Sequence, residues 1–154
     1  KKQKEVFIAQ IEFAKKVKKP LIVHIRDASN DSREILVDYN AKEAGGVLHC
    51  YNASEHLLPL AEHNFYFGIG GVLTFKNAKK LIEVLPKIPK DRLLIETDAP
   101  YLTPHPHRGE RNEPYYTVFV AQKMAELLEL SVEEIETLTT KNAKNLFKEF
   151  SSFC

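Results

Sequence analysis

The chain has 154 residues, 44% of them apolar, and a formal net charge of +1. Length and composition predict one domain with a substantial core, and the small charge excludes a global electrostatic attraction to nucleic acid. Because no run approaches the roughly 18 apolar residues of a membrane span and no signal-peptide pattern opens the chain, we expect a cytoplasmic protein without a membrane partner. The two cysteines, Cys50 and Cys154, provide neither a disulfide framework nor a cysteine-type zinc cluster.

Residues 1–19 predict an amphipathic helix. Its apolar residues recur at helical spacing and form one broad face: Val6, Phe7, Ile11, Phe13, Ala14 and Val17. Because residue 1 is Lys and not Met, and because the chain opens inside this helix, we expect an upstream segment.

Four short apolar runs follow, each ending in a polar or glycine-containing break. They are LIVHIR at 21–26, GVLHCY at 46–51, YFGIGG at 66–71 and LLIETD at 93–98. Their starts lie about 20 to 27 residues apart, which is the length of one strand-plus-helix unit. Near-continuous hydrophobicity is typical of strands that are covered on both faces, so the pattern predicts a parallel sheet in an α/β fold.

The segments between and after these runs predict helices. Ser29 or Asn30 is the expected N-cap of the first, and Pro59 makes the second irregular. A third follows at 76–87, and a longer helix is predicted at 115–128. The last helix begins at a capping box, with Ser131 followed three residues later by Glu134.

Three side chains that can bind a metal lie near the ends of the predicted strands. His24 and His49 are near the ends of the first two runs, and Asp98 is the last residue of the fourth. Because the carboxyl ends of parallel strands share one edge, we expect these residues to meet there. A single histidine at a strand end is more often structural, but two imidazoles and a carboxylate together suit a hydrolytic divalent metal such as zinc, magnesium or manganese.

A second carboxylate, Glu96, precedes Asp98 by two residues. Strand alternation predicts that it lies on the same side as Asp98 and one layer deeper, where it could orient a ligand or act as a catalytic acid. A buried acid paired with a Lys or Arg is the equally favoured alternative. Arg26, two residues after His24, is a candidate for that partner or for a phosphate contact.

The loop at 100–114 holds four prolines and follows Asp98 directly. Prolines stiffen a loop, and a stiff loop that carries Arg108, Arg111 and Asn112 could hold an anionic substrate such as phosphate over the site. A proline-rich polar loop is more often only a connector. Its position beside Asp98 favours the functional interpretation.

Several segments match a known family: PLIVHIRDA, GVLHCYNAS, YFGIGGVLTFKNAKKL, LLIETDAPYLTPHPHRGERNEP and the closing KNAKNLF. Together they resemble the TatD family of metal-dependent hydrolases, whose described members include deoxyribonucleases. The match covers nearly the whole chain, in order and at family spacing. The resemblance implies that His24 and His49 are the histidine ligands of the fifth and sixth strands of a TIM-type (β/α)₈ barrel, that Asp98 is the aspartate ligand of the eighth, and that Glu96 is the acid that accompanies it.

The chain departs from the family pattern in two places. The family's His-x-His strand and its later glutamate ligand are absent, and Asn52-Ala53 stands where many relatives have Ser-Gly. A (β/α)₈ barrel needs about 250 residues, so we predict that residues 1–154 are a single domain forming the C-terminal half of a barrel without its N-terminal strands. An open half exposes strand edges. We therefore expect either a missing N-terminal half or a homo-oligomer to complete it.

The function that this resemblance implies is metal-dependent hydrolysis of phosphodiester bonds at DNA ends, with DNA as the substrate. Asp98 and Glu96 are its expected catalytic carboxylates, and Arg26, Arg108, Arg111 and Asn112 its expected substrate contacts. Two alternatives stay open. One is a catalytically incompetent half-barrel remnant or interaction module, and the other is a metal-dependent hydrolase of amides, esters or lactones.

Overall fold

The structure is a computed structural model that describes residues 1–148, so Cys154 lies outside the described part. Parallel strands form one four-stranded sheet in chain order, β1-β2-β3-β4. Their bounds are Leu21–His24 for β1, Gly46–His49 for β2, Phe65–Ile69 for β3 and Leu93–Ile95 for β4. Parallel neighbours require crossover connections, which the helices supply. The predicted α/β fold with four parallel strands and flanking helices is confirmed.

The helices are α1 Lys2–Val17, α2 Ser29–Asp38, α3 Lys79–Val84, α4 Thr117–Leu128 and α5 Val132–Leu146. Short 3₁₀ segments complete the connections at Ala41–Glu43, Glu55–His63, Gly71–Thr74, Leu85–Lys87, Lys90–Arg92 and Pro114–Tyr116. Pro59 lies inside the second of these, which is 3₁₀ and not a regular α-helix, as the sequence predicted. None of the described helices combines the length and the apolar character that a membrane crossing requires.

The predicted cap of α5 is observed, whereas the starts of α2 and α4 differ from the prediction. Ser131 and Glu134 form the predicted capping box, because Glu134 N donates to Ser131 Oγ at 3.1 Å and Ser131 N donates to Glu134 Oε2 at 2.8 Å. The N-cap of α2 is Ala28 and not Ser29 or Asn30, because the Ser29 hydroxyl is used instead by Asn52 Nδ2, at 3.1 Å. Helix α4 begins at Thr117, two residues later than predicted.

The predicted strands overrun the observed ones. β1 ends at His24, β2 at His49 and β4 at Ile95, so Asp98 is not a strand residue. The chain turns beyond β4 instead, and Tyr101 N donates to Asp98 O at 2.7 Å to form an isolated antiparallel bridge. Asp98 therefore lies on a turn just outside the sheet.

The two faces of the sheet have different neighbours. One face packs Phe65, Phe67 and Leu93 into the main core beneath the helices. The other carries a smaller cluster of Val47, Tyr66, Leu94 and Leu146, the last from α5. Because side chains alternate along a strand, His49 follows Val47, and Glu96 follows Leu94, on this second face. This face leads to the candidate site at the carboxyl edge of the sheet.

The predicted apolar face of α1 is only partly covered. Ile11 and Ala14 are buried, whereas Phe13 is 59% exposed. On the neighbouring strand β1, Ile22 is 67% exposed. Within residues 1–148 no strand pairs with the outer edge of β1, which leaves this side of the sheet open.

Candidate metal centre

The register of the sheet brings two histidines together. His24 and His49 are the last residues of β1 and β2 and are paired directly across the parallel ladder. Their ring centroids lie 6.0 Å apart, and the ring planes are inclined at 52°. His24 is exposed, whereas His49 is partly buried.

Asp98 joins His49 from the turn after β4. Its Oδ1 lies 3.4 Å from His49 Nε2. The hydrogen bond from Tyr101 N fixes the backbone of Asp98 at this point. The structure thus brings together two of the three side chains predicted to bind a metal, and His24 lies beside them on the neighbouring strand.

Glu96 fixes the other side of the His49 ring. Its Oε2 lies 2.9 Å from His49 Nδ1, and its Oε1 accepts a hydrogen bond from the backbone N–H of Cys50. With Nδ1 held by a carboxylate, His49 presents Nε2 toward Asp98. The alternative of a Lys or Arg partner for Glu96 is wrong, since its partners are His49 and the Cys50 amide.

The Glu96 carboxylate occupies the space above a glycine of β3. A Cβ built on Gly68 would overlap Glu96 Oε2, so a larger residue at this position would force the carboxylate to move. Glu96 reaches across β3 to His49 on β2, over the one position of β3 that has no side chain. The sequence analysis did not single out Gly68, although a glycine inside a strand is a signal of close approach.

The local charges act directly on His49. Burial alone lowers its pKa, but hydrogen bonds to Glu96 and Asp98 and their negative charges outweigh burial, so the pKa is raised above its usual value of 6.5. Two carboxylates and one imidazole thus form a negatively charged site that favours a cation, either a proton on His49 or a metal ion. The two cations compete, because a metal requires neutral imidazole.

The donor set fits a divalent metal. Two ligands held at about 2.0–2.2 Å from a tetrahedral zinc lie about 3.4 Å apart, and His49 Nε2 and Asp98 Oδ1 are separated by 3.4 Å. An imidazole backed by a carboxylate is the arrangement that metal-binding histidines commonly have. The two residues can therefore bind one ion without a rearrangement of the backbone.

Cys50 is a neighbour that the sequence analysis did not consider as a ligand. Its thiol lies 3.6 Å from His49 Nε2, and ligand atoms of His49, Cys50 and Asp98 lie within 4.8 Å of one another. Burial, followed by the charge of Glu96 and its hydrogen bond and by the charge of Asp98, raises the pKa of this thiol to about 12. In the metal-free chain the thiol is therefore protonated at neutral pH, and it lies close enough to His49 and Asp98 to be a further candidate ligand.

The loop at 100–114 is held against the segment at 71–75. Arg108 places its guanidinium 3.9 Å from the centre of the Phe75 ring, and its Nη1 donates to Thr103 O at 3.1 Å. His105 N donates to Thr74 Oγ1 at 2.9 Å. Cation–π stacking and hydrogen bonding thus give Arg108 a definite role in fixing the loop.

The other predicted substrate contacts have different surroundings. Arg111 is exposed on the loop, and Arg26 is exposed after β1 beside Asp27, at 3.8 Å. Asn112 is only 3% exposed, and its Nδ2 donates to Tyr101 O at 2.7 Å. Asn112 therefore supports the loop from within, and contact of these residues with a substrate stays a prediction.

A family model described as TatD related DNase matches residues 1–148. The chain belongs to the TatD-related DNase family.

Individual relatives match almost all of the chain. It is 53% identical over 147 residues to the uncharacterized metal-dependent hydrolase YabD of Bacillus subtilis, with 95% of this chain and 58% of that protein covered. The corresponding protein YcfH of Escherichia coli K12 is 42% identical over 147 residues, with 95% and 56% covered. The chain therefore spans little more than half the length of these relatives.

A solved structure supports the same relationship. The crystal structure of YjjV, a TatD homolog from Escherichia coli K12, matches with a TM-score of 0.82 and 28% identity, over 89% of this chain and 53% of that one. The fold and the family are thus established by independent comparisons.

Proposed function

We propose that the chain forms one side of the divalent-metal site of a hydrolase that cleaves phosphodiester bonds at DNA ends. The observation that carries the proposal is the donor pair of His49 and Asp98, with Glu96 hydrogen-bonded to the far side of the imidazole. Membership of a family described as TatD related DNase supports the substrate class. The relatives named metal-dependent hydrolases support the need for a metal.

His49 and Asp98 would hold the ion, and His24 would complete the set from β1. Zinc, magnesium and manganese all accept ligands of these types. When bound, the ion lowers the pKa of a water molecule and offsets negative charge on a phosphate oxygen.

Each residue of the candidate site has a defined role in this proposal. Glu96 holds the His49 Nδ1 proton and so keeps the Nε2 lone pair directed toward Asp98. Asp98 accepts the proton that the attacking water releases. Arg111 and Arg26, both exposed, offer cations to the phosphates of the strand, and Arg108 keeps the loop in place.

We also propose that the sheet is extended at its β1 edge into a closed barrel. Ile22 is 67% exposed there, and the apolar residue Phe13 of α1 is 59% exposed beside it. Further strands of a longer chain or a second copy of this one would cover both residues and remove the open edge. Light scattering coupled to size-exclusion chromatography distinguishes a self-paired chain from a monomer. A cytoplasmic location is part of the same proposal.

Substitution of Asp98 by Asn in a longer chain that carries the complete barrel tests the catalytic proposal. The change keeps the size of the side chain but removes the negative charge and the proton acceptor, so the rate of DNA hydrolysis with added Mn²⁺ should fall by at least about 100-fold. Asp91→Asn is the matched control, because Asp91 is an exposed residue at the opposite end of β4. Near-normal hydrolysis by the Asp98 variant would contradict the assignment.

The open β1 edge also favours a second candidate function, an interaction module without turnover. Calorimetric titration with Zn²⁺ and Mn²⁺ separates the two, because a competent site binds metal and a remnant does not. A panel of ester and lactone substrates assayed beside single-stranded DNA tests the choice of phosphodiester chemistry.

A further inference from the structure

Tyr101 is an aromatic residue at the edge of the candidate site that the proposed mechanism does not use. Its side chain is 69% exposed, although a tyrosine ring has a large apolar surface to bury. In the part of the chain that the structure describes, no other aromatic ring packs against it. The other rings of this loop do have such neighbours, since His107 stacks on Tyr116 with centroids 4.5 Å apart and His105 lies 6.2 Å from the Phe75 ring.

The backbone of Tyr101 is fixed relative to Asp98. Tyr101 N donates to Asp98 O at 2.7 Å, which closes a four-residue turn between them. Such a turn keeps its end residues within about 7 Å of each other. A phosphate bound through an ion that His49 and Asp98 would hold, and a base lying on Tyr101, would thus be separated by a distance on the order of one nucleotide.

Asn112 holds the same backbone from the other side. Its buried side chain donates from Nδ2 to Tyr101 O at 2.7 Å, and its own N–H donates to Pro100 O at 3.0 Å. Arg111, which precedes Asn112, brings an exposed cation next to this segment. A ring on a rigid backbone loses little conformational entropy when a ligand stacks on it.

We propose that Tyr101 is a stacking platform for the base of the nucleotide whose phosphate is bound at the candidate metal centre. This inference rests on the proposed function, since it names how the substrate of that site is held. An exposed ring beside a cation is the combination with which proteins bind single strands, whose bases are free to stack.

Binding measured without hydrolysis tests the inference. The probe is a fluorescein-labelled single strand of roughly ten nucleotides, a length within the site sizes of single-strand binders, followed by fluorescence anisotropy in EDTA. Tyr101→Ala should weaken binding by about 5- to 150-fold, the range for loss of one stacked base, whereas Tyr101→Phe should bind within about twofold of the unaltered chain. Tyr39→Ala is the matched control, because Tyr39 is a 39% exposed tyrosine at the C-terminal end of α2.

An abasic strand distinguishes stacking from a structural effect. It should bind Tyr101→Ala and the unaltered chain equally, because it has no base to stack. Equal loss of affinity for abasic and normal strands, no loss for either, or no binding of the normal strand by the unaltered chain would each overturn the inference. Urea unfolding is the control for folding, and each variant should have the same urea midpoint as the unaltered chain. Because no bond is cleaved in EDTA, the outcome is independent of the hydrolysis test on Asp98.

Discussion

The two histidines at the carboxyl edge of the sheet have the same position on neighbouring strands but very different surroundings. His49 on β2 has Glu96 on Nδ1 at 2.9 Å and Asp98 beyond Nε2 at 3.4 Å. His24 on the edge strand β1 is exposed, and in the described residues it has only the His49 ring as an aromatic neighbour. The difference teaches that strand position brings a ligand to the site, whereas its hydrogen-bonding partners decide whether it is oriented for use.

The largest effect expected from this difference is on metal affinity. His49→Ala should weaken Zn²⁺ binding at least about tenfold more than His24→Ala does, because a carboxylate partner of a metal-binding histidine contributes about 10- to 100-fold. Calorimetric titration of both variants measures the gap. Equal losses would show that Glu96 gives His49 no advantage.

The next largest effect is expected from a substitution at Gly68 of β3, beneath the Glu96 carboxylate. Gly68→Ala places a methyl group where Glu96 Oε2 lies, so it should displace the carboxylate, destabilise the chain by roughly 1–3 kcal/mol and weaken metal binding by about 10-fold or more. Urea unfolding and metal titration measure the two losses.

Gly70→Ala is the control for this substitution. A Cβ at Gly70 lies 3.4 Å from the nearest atom, the backbone oxygen of Glu96, which is an ordinary contact. If Gly68→Ala bound metal as well as Gly70→Ala, the position of Glu96 would not matter for the site.

A smaller effect is expected from pH. The pKa of His49 is raised in the folded chain, so its protonated form stabilises the metal-free fold. This contribution is fully present below the unfolded pKa of about 6.5 and disappears as pH rises through the raised folded value. For this partly exposed group it should stay below about 1 kcal/mol.

The measurement is the stability that His49→Asn loses in EDTA, which should be larger at pH 6 than at pH 9. His56→Asn, at an exposed position, is the control. Zn²⁺ affinity should change in the opposite sense and rise across the same window, because the metal competes with the proton. A loss of stability that does not vary with pH would contradict the assigned interactions.

The smallest effect is expected at the open edge. Ile22 is 67% exposed, so Ile22→Ser should change the free energy of unfolding of a monomer by no more than about 0.5 kcal/mol. Leu48→Ala, at a site 2% exposed in the core, should cost roughly 2–5 kcal/mol. A large loss for Ile22→Ser would show that a second copy covers this edge.

The sequence was sufficient for the features that depend on periodicity and local capping. Alternating apolar runs predicted the four parallel strands, and a serine three residues before a glutamate predicted the cap of α5. Strand order then placed His49, Glu96 and Asp98 near one another. These features can be predicted because strand burial repeats at a regular spacing along the chain and a helix cap depends on residues only three positions apart.

The features that the sequence did not reveal depend on single contacts between distant segments. The end of β4 at Ile95, the burial of Asn112 and the stacking of Arg108 on Phe75 are set by how the loop at 100–114 folds back. The exposure of Phe13 on α1 depends on what lies beyond β1, which no periodicity of α1 itself encodes.

The reach of Glu96 across β3 has a consequence for the backbone beyond β2. Cys50 lies after the last residue of that strand, yet its amide donates to Glu96 Oε1 and not to water. Hydrogen exchange at this amide should therefore be as slow as in the strands and should accelerate when Glu96 is removed. We therefore expect the Cys50 amide to open in the same local unfolding event as the strands, so that the candidate metal centre opens together with the sheet.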